Sequence, residues 1–291
     1  MAHFEFTDET LTLGDTVLHR IRATTDIAGH IERGELGGWV ESPRNLTGAA
    51  WVADEAKVYG NAWVTDEARV SGTAEVFDSA NICGLAQVGD NARVFENARM
   101  FDQTAISGNA QLSGNAELLM DSFVSDNAIV CETAVLTDSA QARGDSWVGG
   151  FACLHGASVA TGNAKISGRV WLFDAPTIRD NATISGHITI CGGPTIATTA
   201  QITSAEDIIS IVLAADCAET ITAYRCCTGH RIHYGDWDGT LDGFRTEITR
   251  RAETNWPQAN AGAASLNRWR YELDQLTNLL ASRVEFWESN N

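Results

Sequence analysis

The chain carries an uninterrupted six-residue repeat from residue 45 to residue 206, which amounts to 27 hexads in 162 of its 291 residues. The second place of each hexad is Val, Ile, Leu or Met in 25 of 27 cases, and Ala142 and Ala160 are the exceptions. The sixth place is Ala, Ser or Thr in 22 of 27. A fixed period of this kind determines the architecture before local propensity is considered, because each repeat is a unit that stacks on its neighbours.

One aliphatic residue per hexad predicts an inward side chain on each flat face of a triangular coil, with a small residue at each bend. Gly, Asn and Asp stand where the backbone turns, as in Gly60-Asn61, and tolerate positive φ. Hexads such as residues 51–56 and 69–74 resemble the hexapeptide-repeat family, which implies an all-β, left-handed parallel β-helix with three hexads per coil. Nine coils at roughly 4.8 Å each give a prism about 43 Å long.

The repeat divides the chain into residues 1–44, 45–206 and 207–291. The first segment alternates around Gly14-Asp15, which predicts a β-hairpin, and then leads to Trp39 as a lid on the first coil. Late corners lack the small residue, so we expect looser or bent coils at Val170, Pro176, Ile188, Pro194 and Glu206. The last segment predicts a strand at Ile208–Leu213, a hairpin at Ile221–Tyr234 turning near Thr228-Gly229, and helices near Leu241–Thr254 and Ser265–Trp287.

A narrower resemblance lies at the start of the repeat. The stretch Gly34-Glu35-Leu36-Gly37-Gly38-Trp39-Val40-Glu41 and the WVADEAKVYGNA run at residues 51–62 resemble the YdcK-like proteins common in phages and prophages. The resemblance covers about residues 20–200. Members are often called transferases because of their fold alone, so the resemblance implies a phage setting and little about chemistry.

The composition limits the classes of ligand that the chain can bind and the cellular compartment we expect for it. The net charge is −18, which argues against nucleic acid or an anionic membrane as a direct ligand. We find no signal peptide and no apolar run long enough to span a membrane. Seven scattered cysteines do not suggest a disulfide framework, so we expect a cytoplasmic protein, in the host if a phage encodes it. They are Cys83, Cys131, Cys153, Cys191, Cys217, Cys226 and Cys227.

Acidic residues recur at the corners. At one corner the fourth hexad place alternates between a carboxylate and an uncharged residue, as in Asp66, Gly84 and Asp102. Alternation separates like charges that would otherwise stack about 5 Å apart. The repeat holds 18 acidic and 8 basic residues, a net of −10, or one charge per about 4 Å against about 1.7 Å in duplex DNA. A whole-prism DNA mimic is therefore not expected, although one acidic edge could occupy a basic groove.

Two histidines of the repeat, His155 and His187, are the candidates for acyl transfer. Enzymes of the hexapeptide-repeat family use a general-base histidine and a loop expelled from a coil, whereas no insertion interrupts these hexads. His155 follows the inward Leu154 and should point outward, and His187 falls at a corner. The sequence contains neither a phosphate-binding glycine loop nor a nucleophile motif. We assign no catalytic residue and no cofactor, and keep an acyl-CoA-dependent acyltransferase as the alternative.

The last segment holds two groups of candidate metal ligands: Cys226, Cys227, His230 and His233, then Asp236, Asp238 and Asp242. Zinc needs four converging ligands, but adjacent strand residues point to opposite faces. The aspartates lack the spacing and the bidentate Glu of an EF-hand. We therefore expect reduced hairpin residues and turn or helix-capping roles, and assign no metal.

Residues 18 apart should stack in outward columns. Tyr59, Phe77 and Phe95 form one such column, and a second group falls on the middle coils. Either the terminal segments or another subunit cover these side chains, or a foreign partner binds them, because exposed apolar columns are rarely bare. The candidate binding surface is Trp51, Tyr59, Trp63, Phe77, Phe95, Leu119, Phe123, Ile129 and Val135.

The last predicted helix carries an apolar stripe at 3,4,3,4,4,3 spacing. It packs against the rest of the chain or mediates self-association. We expect a homo-oligomer and assign the stripe to it: Leu266, Trp269, Leu273, Leu276, Leu280, Val284 and Trp287.

Taken as a sequence, the chain favours a non-catalytic, phage-type scaffold that binds a protein. A basic nucleic-acid-handling or defence complex of the host suits the acidic edge, with the chain acting as a stoichiometric inhibitor. A purely structural, self-assembling element is the third alternative.

Overall fold

The computed structural model describes residues 3–27, 31–212, 220–254 and 263–289. Strands of two residues, at the first and second places of each hexad, repeat along the coils and pair in parallel with residues 18 positions away, as in Val88 with Ile106. Three sheets result, one on each face of a β-solenoid of about nine turns. The predicted architecture is confirmed, and its left-handed sense stays a prediction.

The strands of the three faces alternate along the chain. The twelve-stranded sheet contains Phe4–Leu13, Thr16–Ala23, Leu36–Val40, Lys57–Val58, Glu75–Val76, Arg93–Val94, Gln111–Leu112, Ile129–Val130, Trp147–Val148, Lys165–Ile166, Thr183–Ile184 and Gln201–Ile202. The nine-stranded sheet contains Trp51–Val52, Arg69–Val70, Gln87–Val88, Ala105–Ile106, Phe123–Val124, Gln141–Ala142, Val159–Ala160, Thr177–Ile178 and Thr195–Ile196. The eight-stranded sheet contains Trp63–Val64, Asn81–Ile82, Arg99–Met100, Glu117–Leu118, Val135–Leu136, Cys153–Leu154, Arg169–Leu172 and His187–Ile190.

The second-place side chains fill the prism. They are buried from Leu46 to Ile202, and Ala142 and Ala160 are fully buried as well. At each corner the fourth-place residue has positive φ, without exception from Gly48 to Thr198. The fifth-place N–H donates to the fourth-place carbonyl of the next coil, so the backbone bends and still pairs.

Two late corners differ from the expected loosening. At Val170 and Ile188 the strands lengthen to Arg169–Leu172 and His187–Ile190, and the two pair residue by residue. Both large sixth-place side chains are buried. Because a β-branched residue suits an extended backbone, the strand continues through the corner instead of loosening it.

The first segment joins the solenoid at its N-terminal end. Phe4–Leu13 and Thr16–Ala23 form the predicted antiparallel hairpin. The strand of Trp39 lies on the first coil and pairs in parallel with Lys57–Val58. Gly37 and Gly38 lie against the first coil so closely that a Cβ on either would stand 2.5 Å from a carbonyl oxygen. Short 3₁₀ helices, Pro43–Asn45 and Ala205–Asp207, flank the coils.

The last segment forms a separate layer. An antiparallel four-stranded sheet comes first, and its strands are Ile208–Val212, Thr220–Cys226, Gly229–Tyr234 and Trp237–Gly239. Two helices follow it, α1 (Leu241–Glu253) and α2 (Ala263–Ser289). The predicted hairpin and helices are confirmed, while Leu213 lies outside the described residues. Tyr224 enters the solenoid core, and its hydroxyl accepts the Ala197 N–H at 3.1 Å. Neither described helix has the length and apolarity needed to cross a membrane.

Candidate binding surface

The corner carboxylates bind the backbone of the next coil. In each of the eleven hexads with an acidic fourth place, a side-chain oxygen accepts the N–H of the fourth-place residue 18 positions later. Asp138, for example, accepts from Gly156 at 2.8 Å. This bond explains why carboxylates suit the fourth place, but it does not explain their alternation, because any residue supplies the N–H, as Glu96 does for Asp78 at 3.2 Å.

The aromatic column exists as predicted, and its three side chains are half-buried on the outside of the coils. Tyr59, Phe77 and Phe95 stack with ring centroids 5.1 Å apart and nearly parallel planes. The Arg93 guanidinium lies over the Phe77 and Phe95 rings at 5.1 and 5.4 Å, and also pairs with Glu75 at 3.5 Å. The rings cover one another's faces, so this column offers a partner chiefly ring edges.

The two tryptophans of the candidate surface have opposite environments. Trp51 is only 1% exposed, because the N-terminal segment covers it with Ile27 and Ile31 in the same core cluster. It is therefore removed from the binding surface. Trp63 is 45% exposed on the eight-stranded sheet, and its Nε1 donates to the Thr47 hydroxyl at 2.7 Å.

The four apolar residues predicted to cluster on the middle coils do not form one patch. Phe123 lies on the nine-stranded sheet, Ile129 on the twelve-stranded sheet, and Leu119 and Val135 on the eight-stranded sheet. Successive hexads occupy successive faces, so only residues 18 apart share a column. Of the four, Leu119 and Val135 remain neighbours.

The eight-stranded sheet carries a longer apolar column that the sequence analysis missed. We name its third-place residues the apolar column: Phe101, Leu119, Thr137, His155 and Phe173. Val135, Cys153 and Trp171 lie beside it at the first place, and Trp171 is 43% exposed. Reading every third place at a spacing of 18 would have found this column, because Leu119 is its second member.

His155 has two chemically relevant neighbours in this column. Its Nε2 lies 3.0 Å from Cys153 Sγ, and its ring stacks on Phe173 with centroids 4.7 Å apart. Its Nδ1 lies 3.9 Å from Asp138 Oδ2, an ion-pair distance that exceeds a hydrogen bond. His187, the other repeat histidine, is exposed at the start of the strand His187–Ile190.

The stripe of the last helix is an internal contact. Leu273, Leu280, Val284 and Trp287 are buried against the four-stranded sheet and Phe244, and Trp269 and Leu276 pack at the edge of this cluster. The Leu266 side chain lies outside the described residues. The described part of the stripe, from Trp269 to Trp287, therefore does not provide the oligomer interface assigned to it, because its own chain already covers it.

The candidate metal ligands have protein partners. His230 Nε2 accepts the Leu241 N–H at 2.9 Å, at the start of α1, and burial lowers the His230 pKa. His233 stacks on Tyr224 and lies 3.4 Å from Asp238. Among the described residues, no three His, Cys, Asp or Glu side chains are placed to hold a metal ion.

The three aspartates pair with arginines rather than forming a loop site. Arg231 donates to both carboxylate oxygens of Asp238, Arg251 binds Asp236 at 2.9 Å, and Arg245 binds Asp242 at 3.3 Å. The six cysteines within the described residues are free, and Cys217 falls outside them.

Comparison with known proteins adds one similarity. Residues 86–100 match the family model of the YdcK β-solenoid repeat. This stretch lies within the coils and agrees with the resemblance seen in the sequence. No curated protein matches the chain.

Proposed function

We propose that this chain is a non-catalytic scaffold that binds a protein through the apolar column of its eight-stranded sheet. The observation that carries the proposal is the column itself. Phe101, Leu119 and Phe173 are half-exposed on a rigid coil face, with the exposed Trp171 beside them. Thr137 and His155 separate Leu119 from Phe173 in the column, and Val135 and Trp171 at the first place extend the apolar surface across this gap. An exposed apolar surface of this kind marks an interaction site.

Charge indicates the chemistry of the partner. The corner next to the apolar column carries the carboxylates of Asp102, Asp138 and Asp174. The whole chain has a net charge of −18. A partner with an apolar centre and a basic rim would complement this arrangement and would be attracted over a distance.

The biological setting is proposed from the resemblance. YdcK-like proteins are common in phages, and basic surfaces are typical of proteins that handle nucleic acids. We therefore place the chain in the host cytoplasm, as a stoichiometric inhibitor of a defence or nucleic-acid-handling complex. A homo-oligomer that presents several columns at once would gain avidity.

Capture from a host lysate tests the proposal. The wild-type chain is compared with a column variant that carries Phe101→Ser, Leu119→Ser and Phe173→Ser together. The captured protein is then purified, and its binding to each form of the chain is titrated. A matched variant carries Phe123→Ser, Ile129→Ser and Val159→Ser, which are equally half-buried but lie on the other two sheets. We expect a basic protein that the wild type and the matched variant bind in a salt-sensitive manner and the column variant does not.

Two results would contradict the proposal. Equal binding by the column variant places the interface elsewhere. Light scattering that shows an oligomer for the wild type and a monomer for the column variant assigns the column to self-assembly instead.

A further inference from the structure

Cys153 and His155 meet because of the strand period. They occupy the first and third places of one hexad, and residues two apart project from the same side of a strand. The 3.0 Å separation of Sγ and Nε2 places a nucleophile within reach of a base. Both side chains are half-exposed, so a reactant from solvent can approach them.

The imidazole is held from two further sides. Phe173, one coil later, stacks on it with planes 14° apart. Asp138, one coil earlier, faces Nδ1 at 3.9 Å, and its own position is fixed by the Gly156 N–H at 2.8 Å. The order of groups is thiol, imidazole, carboxylate, and at 3.9 Å the carboxylate acts on the imidazole through its charge and not through a hydrogen bond.

The thiol is protonated at rest. Burial raises the pKa of Cys153, and the Asp138 carboxylate adds to this effect. In the tautomer of His155 that carries its proton on Nδ1, facing Asp138, the S–H donates to Nε2. Attack by this sulfur requires transfer of its proton to the imidazole, in contrast to cysteines that rest as thiolates.

We propose that Cys153 accepts an acyl group from an uncharged ester or thioester, with His155 as its general base. The sulfur forms a bond to the carbonyl carbon, and the bond between that carbon and the leaving oxygen or sulfur breaks. The thiol proton passes to Nε2 and then to the leaving group. The products are an S-acyl cysteine and a free alcohol or thiol. This inference does not rest on the proposed protein-binding role, although it uses His155 and Phe173 of the same column. The step is a single acyl transfer to the chain itself, without turnover.

The surroundings define the donor. Val135 and Trp171 flank Cys153 in its column, and Phe173 lies beside Trp171 with ring centroids 6.5 Å apart, so an apolar acyl chain finds apolar contacts. Asp138 and Asp174 stand at the adjacent corner of a strongly acidic chain. Their charge repels anionic donors such as acyl-CoA and favours uncharged ones.

The test uses p-nitrophenyl butyrate on the full chain with Cys217 and the two exposed cysteines, Cys191 and Cys227, changed to Ser. Cys83 and the buried Cys226 remain, so the acylated residue must be identified directly. Nitrophenolate release gives the rate, and peptide mass spectrometry locates the acyl group. Cys131 is the internal control, because it is equally half-buried, has a pKa raised to about 11 by burial, and has Ile129 two residues before it where Cys153 has His155 two residues after it. We expect acylation at Cys153 and its loss in Cys153→Ala.

His155→Phe removes the general base but keeps the ring stacking, since the new ring can still lie on Phe173. We expect acylation to fall about 100-fold, the usual contribution of a general base, with the melting temperature kept. Acylation of Cys153 no faster than that of Cys131, or an unchanged rate in His155→Phe, overturns the proposal.

Asp138→Asn tests the positioning residue, because an amide oxygen can still accept the Gly156 N–H. Loss of the charge should lower the pKa of the Cys153 thiol and speed its alkylation by iodoacetamide, while acylation slows. A purely structural role for Asp138 would move both rates in the same direction.

Discussion

The Asp90 carboxylate accepts the backbone N–H of Gly108, one coil farther along the solenoid, at a distance of 2.9 Å. Asp90 has φ of 55° and Gly108 has φ of 69°, so both occupy the left-handed turn region. The pair explains why both carboxylates and glycines occur at the fourth place of the hexads. A short carboxylate tolerates this φ and reaches the next N–H, while Gly gives room above or below it.

Asp90→Ala should destabilise the solenoid by about 2 kcal/mol. The Gly108 N–H loses its charged acceptor, worth roughly 1–2 kcal/mol when water partly replaces it, and Ala is poorly suited to positive φ. Urea denaturation measures the change. Asp90→Asn keeps an acceptor and suits the turn, so it should remain within about 0.5 kcal/mol of the wild type; an equal loss in both variants would contradict the hydrogen-bond explanation.

Gly108→Ala should cost more than Gly89→Ala. A Cβ at Gly108 would stand 2.7 Å from the Asp126 carbonyl oxygen, and its φ is positive. At Gly89 the nearest atom, Ser71 Oγ, is 3.7 Å away and φ is ordinary. We expect a loss of about 2 kcal/mol or more for the first change and almost none for the second, measured by the same denaturation. Similar losses would mean that the corners tolerate a side chain.

The period of the repeat was sufficient to predict the coils, because one inward place per hexad leaves few arrangements that bury it. It did not predict the continuous strands at Val170 and Ile188, since the effect of a large sixth-place residue depends on the coil above. Nor did it reveal that the N-terminal segment covers Trp51. Such coverage depends on contacts between distant parts of the chain, which a local pattern does not encode.

Phe77→Ala should destabilise the chain more than Phe95→Ala. Phe77 stacks on both Tyr59 and Phe95, whereas Phe95 has one ring neighbour in the stack. Each aromatic pair contributes about 0.5–1.5 kcal/mol beyond its buried area. Phe77→Leu, which keeps apolar volume, should recover part of the loss. Equal melting temperatures for the two alanine variants would show that the column is held by something other than ring stacking.

The candidate surface was only partly predictable for a related reason. An 18-residue spacing identified the aromatic column correctly, but the middle group was assembled from residues such as Phe123 and Ile129 that are six apart and face different directions. The pairing of Cys153 with His155 also follows from spacing, yet Asp138 joins them only through its bond to Gly156. That bond appears only when the coils are stacked.

Tyr59 should contribute to alkaline unfolding. Burial, followed by the Glu75 carboxylate, raises the pKa of its phenol to about 12, above the ordinary value of about 10. Between these values the folded chain keeps a proton that the unfolded chain loses. The contribution to stability is therefore complete below about pH 10 and disappears as the pH rises through about 12. Tyr59→Phe should flatten the decline of the melting temperature over this range, whereas the exposed Tyr271→Phe should leave it unchanged.

Leu273→Ala should destabilise the C-terminal layer without changing the oligomeric state. Leu273 is 1% exposed and packs in the cluster formed by the four-stranded sheet and α2, so a cavity replaces it at a cost of about 2–4 kcal/mol. Loss of tryptophan fluorescence with increasing denaturant measures the unfolding transition. Light scattering at denaturant concentrations below this transition measures the mass of the folded protein. Tyr271→Ala, on the same helix and 65% exposed, is the matched control and should be close to neutral. A lower mass for Leu273→Ala under native conditions would return this helix to the oligomer interface.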